Sequence, residues 1–97
     1  NILYKMIYMM EWKMKDGCVE KCVDAFLNTG APMPDGLTQL GRWHAPGSGN
    51  GWLIVETDDV KTVYIHASEW AEYLHWNVTP VVADDVAGEG CKAAWKK

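Results

Sequence analysis

Residues 3–14 read Leu3-Tyr4-Lys5-Met6-Ile7-Tyr8-Met9-Met10-Glu11-Trp12-Lys13-Met14, and their alternation decides the fold. Successive side chains of a strand point to opposite faces. The even positions, Tyr4, Met6, Tyr8, Met10, Trp12 and Met14, are uniformly large and apolar. The odd positions, Leu3, Lys5, Ile7, Met9, Glu11 and Lys13, are apolar in the middle and charged towards the ends. A strand of this kind is covered on both sides. Trp52-Leu53-Ile54-Val55 has the same property in a shorter run. Two such strands suit the centre of a sheet with helices on one side and an apolar face left over on the other.

Working outward, Asp16 is expected to cap a first helix whose stripe is Val19, Cys22, Val23, Phe26 and Leu27. Asn28-Thr29-Gly30 stops it, and residues 30–36 carry turn chemistry. A second strand is expected at about Leu37–Ala45, followed by the loop 46–51 and a third strand at Trp52–Thr57. Thr57 or Asp58 then caps a second helix with the stripe Val60, Val63, Tyr64, Ala67, Ala71 and Leu74. A fourth strand spans about His75–Ala83, and Pro80 inside it marks an edge. The order is β-α-β-β-α-β. With right-handed crossovers it gives an α+β ferredoxin-like sandwich. Its four-stranded antiparallel sheet has the first and third strands central and two helices on one face. Pairing two open faces gives a dimeric α/β barrel, so a homodimer is expected. Residues 1–87 form the domain and 88–97 a C-terminal tail. Asp84-Asp85 and Gly88-Glu89-Gly90 read as linker and Cys91–Trp95 as a short helical turn, with Trp95 docking on its own chain or on the partner.

Ninety-seven residues bury a limited core, which favours self-association. The net charge of −4 opposes binding to a phosphate backbone, so no nucleic-acid partner is expected. The one basic run, Lys96-Lys97 beside Lys92, reads as a solvated tail. The longest apolar stretch, Ile2 to Trp12, holds Lys5 and Glu11 and is too short for a membrane span. It lacks the basic start and small-residue cleavage site of a signal peptide, so the expected location is cytoplasmic. Asn1 stands where an initiator Met would, which implies a trimmed or processed start. Cys18, Cys22 and Cys91 are an odd number and do not read as a secreted disulfide framework.

The stretch Gly30-Ala31-Pro32-Met33-Pro34-Asp35-Gly36-Leu37 and the following Leu40-Gly41-Arg42-Trp43 resemble the signature of a small bacterial family of uncharacterised function. Glu56-Thr57-Asp58-Asp59, Trp70 and Val78-Thr79-Pro80-Val81-Val82 are similar to its other marks. The likeness covers about Met6 to Ala87. It implies a ferredoxin-like protomer of the dimeric α/β-barrel superfamily. That superfamily includes cofactor-free monooxygenases, haem-degrading enzymes, lactone isomerases and proteins without a known reaction. The resemblance brings no activity with it, because fold does not imply function.

Cys18 and Cys22 are spaced C-x3-C, unlike redox or zinc-ribbon pairs, and Cys22 reads as a small core hydrophobe. His44, His66 and His75 show no metal spacing, although His66 and Trp70 share a helix side. No metal and no cofactor are expected. The loop Gly47-Ser48-Gly49-Asn50-Gly51 lacks a Lys and joins strand to strand, so it does not cradle phosphate. Glu11 and Glu56 lie near the ends of the two central strands. They read as rim carboxylates or, if half-buried, as general bases. Arg42 offers a planar fork for a carboxylate and Trp43 an aromatic wall. The competing reading has Arg42 covering a subunit interface with its stem.

The leading expectation is a small homodimer without an assigned reaction, its apolar faces consumed in an interface. The alternative is a small-molecule-binding enzyme resembling the cofactor-free monooxygenases, taking a small apolar or carboxylate ligand. Its pocket walls would be Tyr8, Trp12, Trp43 and Trp52, with Glu11, Arg42 or His44 as polar groups. The alternative demands a cavity of a few hundred Å3, and the leading expectation a solid core.

Overall fold

The computed structural model describes residues 5–95. Leu3 and Tyr4 of the expected first strand, and the Lys96-Lys97 pair, lie outside the described residues. Chain order is β1 (Met6–Met14), α1 (Val19–Thr29), β2 (Thr38–His44), β3 (Asn50–Thr57), α2 (Val60–Glu69), β4 (Leu74–Val81) and α3 (Asp84–Ala94). The four strands form one sheet in the order β2-β3-β1-β4, every neighbour antiparallel. This is the α+β ferredoxin-like arrangement, with β1 and β3 central and Pro80 in the edge strand β4 opposite Tyr8.

The two-residue period of β1 sorts its side chains as the sequence demands. Tyr8, Met10 and Trp12 are buried beneath α1 and α2, together with Leu53 and Val55 from β3 and Leu74 from β4. Ile7, Met9, Glu11 and Lys13 lie on the opposite, open face, where Met9 is opposite Ile54 and Glu11 opposite Trp52. Two glycines let indoles lie flat on the sheet. Gly51 is opposite Trp12, and a Cβ at Gly51 would fall inside the Trp12 ring. Gly41 plays the same part for Trp43 on the open face.

Each helix differs from its sequence reading. In α1 the expected cap Asp16 sits in a preceding turn, Cys18 occupies the cap position, and the inward side is Cys22, Ala25 and Phe26. Val19 and Leu27 of the expected stripe are exposed. Gly30, in the left-handed region at φ 73, closes the helix.

The cap of α2 is Asp59, whose carboxylate accepts from the Lys61 N–H at 3.0 Å. Its inward side is Thr62, Val63 and His66, while Val60 and Tyr64 face solvent. Thr62 is admitted because its hydroxyl is bonded. The Thr57 hydroxyl lies 2.8 Å from the Gly36 carbonyl, and the Thr62 hydroxyl lies 2.9 Å from Thr57 Oγ1 and 2.8 Å from the Asp59 carbonyl. A buried polar group with such partners loses little on desolvation, so a Thr can take a place that hydropathy assigns to Val60.

The expected linker over residues 84–90 is the first part of α3, so the division at residue 87 falls inside a helix. Asp84 and Asp85 in its first turn and Lys92 in its last complement the helix dipole, against a cost of about 1 kcal/mol for each of Gly88 and Gly90. Every residue of α3 is exposed, and Trp95 beyond it is 72% exposed, so Trp95 has no dock among the described residues. The radius of gyration, 15.9 Å, exceeds the roughly 12.5 Å of a compact chain of this length.

Substituting Gly51→Ala drives a methyl group into the Trp12 indole and should cost about 1–3 kcal/mol. Urea unfolding checks this. A midpoint equal to wild type would contradict the flat seating of Trp12.

Candidate functional site

Between the helices and the sheet lies a cavity of about 130 Å3. Its floor is Trp12 and Met14 of β1, Leu53 of β3 and Leu74 and Trp76 of β4. Cys22, Val23 and Phe26 of α1 and His66 of α2 form the roof, with Trp70 at the end of α2. Arg42 and His44 enter from β2. The interior is neither solid nor a few hundred Å3. It is near the ~150 Å3 of a dry cavity that accepts benzene.

Arg42 reaches this side because of a β-bulge. Gln39 is opposite Val55 and Gly41 opposite Ile54, which leaves Leu40 as the extra residue. The inserted residue reverses the parity of the rest of the strand, so Arg42 pairs with Leu53 and His44 with Gly51 on the helix side. Arg42 donates from Nη1 to the Ala31 carbonyl at 3.0 Å and from Nη2 to the Gly30 carbonyl at 3.2 Å. Its guanidinium carbon lies 5.2 Å from the Phe26 ring centre. The charge thus sits at the negative end of α1. It also helps to hold Ala31, which the Thr29 hydroxyl holds as well, at a φ of 47. Burial lowers the Arg42 pKa. Among the described residues no carboxylate pairs with Arg42, and no Asp or Glu lines the cavity.

Around the walls Phe26, His44, Trp12, Trp76 and His66 follow one another with ring centres 5.2–6.1 Å apart. The Trp76 indole N–H donates to the Ala67 carbonyl at 3.1 Å, which fixes that ring. His66 is 2% exposed. Its Nδ1 lies 3.4 Å from Glu69 Oε1 without hydrogen-bond alignment and has no partner. Burial lowers its pKa, Glu69 opposes that shift, and the Arg42 charge adds to it. Glu69 lies in an outer cleft with Ala25, Thr29, Pro32, Trp70 and Tyr73. Trp70 lines both spaces.

Of the residues singled out in the sequence, Trp12, Arg42 and His44 come together at the cavity. Trp43, Trp52 and Glu11 do not, because they occupy the open face, where the Trp52 indole donates to Glu11 Oε2 at 3.1 Å. Tyr8 shares the helix-side row but is no part of the cavity wall, and its hydroxyl lies 3.5 Å from Met6 Sδ. Glu56 joins the open face beside Ile7. His66, Phe26 and Trp76 are lining residues that sequence reasoning did not select. The four-residue spacing of His66 and Trp70 is the signal that pointed towards the first. Cys22 is a buried thiol whose pKa burial raises, Cys18 is a free thiol 3.9 Å from the Glu72 carbonyl, and no metal-holding cluster of His, Cys, Asp and Glu occurs among the described residues.

The family model described as Domain of unknown function (DUF3303) matches residues 6–94. The chain belongs to this family. A search of curated proteins finds no match. The DUF3303 match takes in α3 up to its last residue as well as the sandwich and the cavity. No helix among the described residues is long and apolar enough to cross a membrane.

Because burial keeps His66 from protonating, the unfolded chain binds a proton that the folded chain refuses. Stability from this source is complete above the ordinary imidazole value of 6.5 and declines as pH falls below it. Between pH 7.5 and 5.5 the wild type should lose more unfolding free energy than His66→Phe. Equal losses in urea titrations would show that His66 carries no such penalty.

Proposed function

We propose that this protein binds a small carboxylate with an apolar, ring-sized body in the cavity between sheet and helices. The observation that carries this reading is Arg42, a half-buried guanidinium in an apolar cavity without an acidic partner among the described residues. The Gly30 and Ala31 carbonyls at the negative end of α1 offset part of its desolvation cost, and an anion in the cavity offsets the rest. The lining supports the same ligand class. It has Arg42 and two imidazoles and no carboxylate, in a chain whose net charge is −4. The volume, near that of a cavity that accepts benzene, limits the body to about one ring. Benzoate is the simplest probe, and nitrobenzene is its uncharged counterpart of the same shape. Titration followed by tryptophan fluorescence should show saturable benzoate binding, because Trp12, Trp70 and Trp76 line the site. Arg42→Met should weaken benzoate at least about tenfold more than nitrobenzene, whose own loss reports the change in cavity shape when the Gly30 and Ala31 carbonyls lose their donor. Equal loss of both ligands, or none, would remove Arg42 from the role.

The protein acts as a homodimer in this reading, and the open sheet face supports it. Ile7, Met9, Trp43, Trp52 and Ile54 form an apolar surface that no helix among the described residues covers, and Met9, Trp43 and Trp52 are 37–55% exposed. A second copy presents the same surface and buries it by two-fold symmetry. An eleven-residue helix with two glycines is marginal alone in water. The neighbouring subunit is the surface on which α3 and Trp95 dock. Sedimentation should give twice the 10.9 kDa chain mass, and Ile54→Asp should give a folded species of single mass. A wild-type monomer at high concentration would rule the dimer out.

A further inference from the structure

We infer that His66 takes up a proton when a carboxylate enters the cavity, so that the ligand is held between two cations, Arg42 from β2 and an imidazolium from α2, with Glu69 accepting the Nδ1–H. This inference rests on the proposed binding function and adds a second anion-binding residue to it.

The geometry holds a vacant proton position. His66 is 2% exposed, and one ring nitrogen, Nδ1, is buried without a hydrogen-bond partner although a carboxylate oxygen lies 3.4 Å away. A neutral imidazole has one donor and one acceptor. If its proton is on Nε2, Nδ1 presents a lone pair to the Glu69 oxygen. If its proton is on Nδ1, Nε2 has no donor to offer an anion. Only the doubly protonated ring serves both sides. The ring lines the cavity on one side, and Glu69 stands in the outer cleft, half exposed, where solvent supplies and receives protons.

In the empty site the charges oppose that state. The titratable and charged groups around His66 are Glu69 on its own helix, Arg42 and His44 on β2 and Cys22 on α1. The strands β1, β3 and β4 bring Trp12, Met14, Leu53, Leu74 and Trp76. Burial and the Arg42 charge hold the ring neutral, and Glu69 alone favours the cation. An entering carboxylate reverses the balance. It cancels the Arg42 repulsion and adds a second negative charge near the ring. One proton then moves from the buffer to His66, with no bond made or broken in the ligand. An uncharged molecule of the same shape lacks this effect.

Isothermal titration of benzoate at pH 7.5 in phosphate and in Tris separates the outcomes. The expected result is an enthalpy that varies with the ionisation enthalpy of the buffer, with a slope approaching one proton taken up per site. Nitrobenzene should give a slope of zero. His66→Gln should flatten the benzoate slope and weaken binding on the order of tenfold, the worth of one charge-assisted contact. In wild-type protein, which needs no substitution, the His66 ring 15N resonances should change from one protonated nitrogen to two on adding benzoate. Benzoate binding with a flat slope and an unchanged ring overturns the proton uptake and leaves the binding function standing. A slope that survives His66→Gln overturns it too and assigns the proton to another group. Absence of benzoate binding overturns both readings.

Discussion

The contact of the Trp12 indole with the bare backbone of Gly51 is the interaction on which the rest of the structure depends. It joins the two central strands on the side that faces the helices. Because Gly51 has no side chain, the large ring lies along the sheet instead of rising from it. The ring then meets His44 and Trp76 edge-on, 5.2 and 6.0 Å away, and becomes the floor of a space that α1 and α2 do not fill. A smaller residue at position 12 would let the helices close down, and a larger one at position 51 would push the floor upwards. The cavity is therefore a consequence of how one aromatic side chain is seated, and its apolar character comes from the same row of β1.

The bulge at Leu40 makes that cavity chemically distinct. Regular pairing along β2 would place Arg42 with Trp52 on the open face. The extra residue turns Arg42 under the helices, and Trp43 takes its place outside. The two residues that looked like one recognition pair are thereby divided. Arg42 supplies a cation inside an apolar space, and Trp43 adds to the exposed apolar surface of the open face. The guanidinium also holds the Gly30 and Ala31 carbonyls at the end of α1. The residue that gives the cavity its charge is thus part of the framework that shapes it.

The strand framework was legible in the sequence for a plain reason. The alternation from Met6 to Met14 and the apolar run Trp52–Val55 report burial directly, and Pro80 reports an edge. The helices were harder to read. Val60 and Tyr64 look like core and are exposed, while Thr62 and His66 look like surface and are buried. Hydropathy cannot see that Thr57 and Asp59 satisfy one of them, or that the other borders a cavity. For the same reason Arg42, Trp12 and His44 could be singled out but not sorted from Trp43, Trp52 and Glu11. Parity along β2 depends on a bulge, and a bulge leaves little mark in composition. The helical state of Gly88 and Gly90 was hidden by the turn preference of glycine, which the flanking charges outweigh.

Whether the proposed ring-bearing carboxylate binds, and on which side of the sheet, is the central question for this molecule. A crystal structure of the protein grown with benzoate decides it in one experiment. Density for the ring is expected beneath α1 and α2, among Trp12, Phe26 and Trp76, with the carboxylate against Arg42. An empty cavity, with benzoate lying instead beside Trp43 and Trp52 on the open face, would contradict the assignment of the cavity as the binding site.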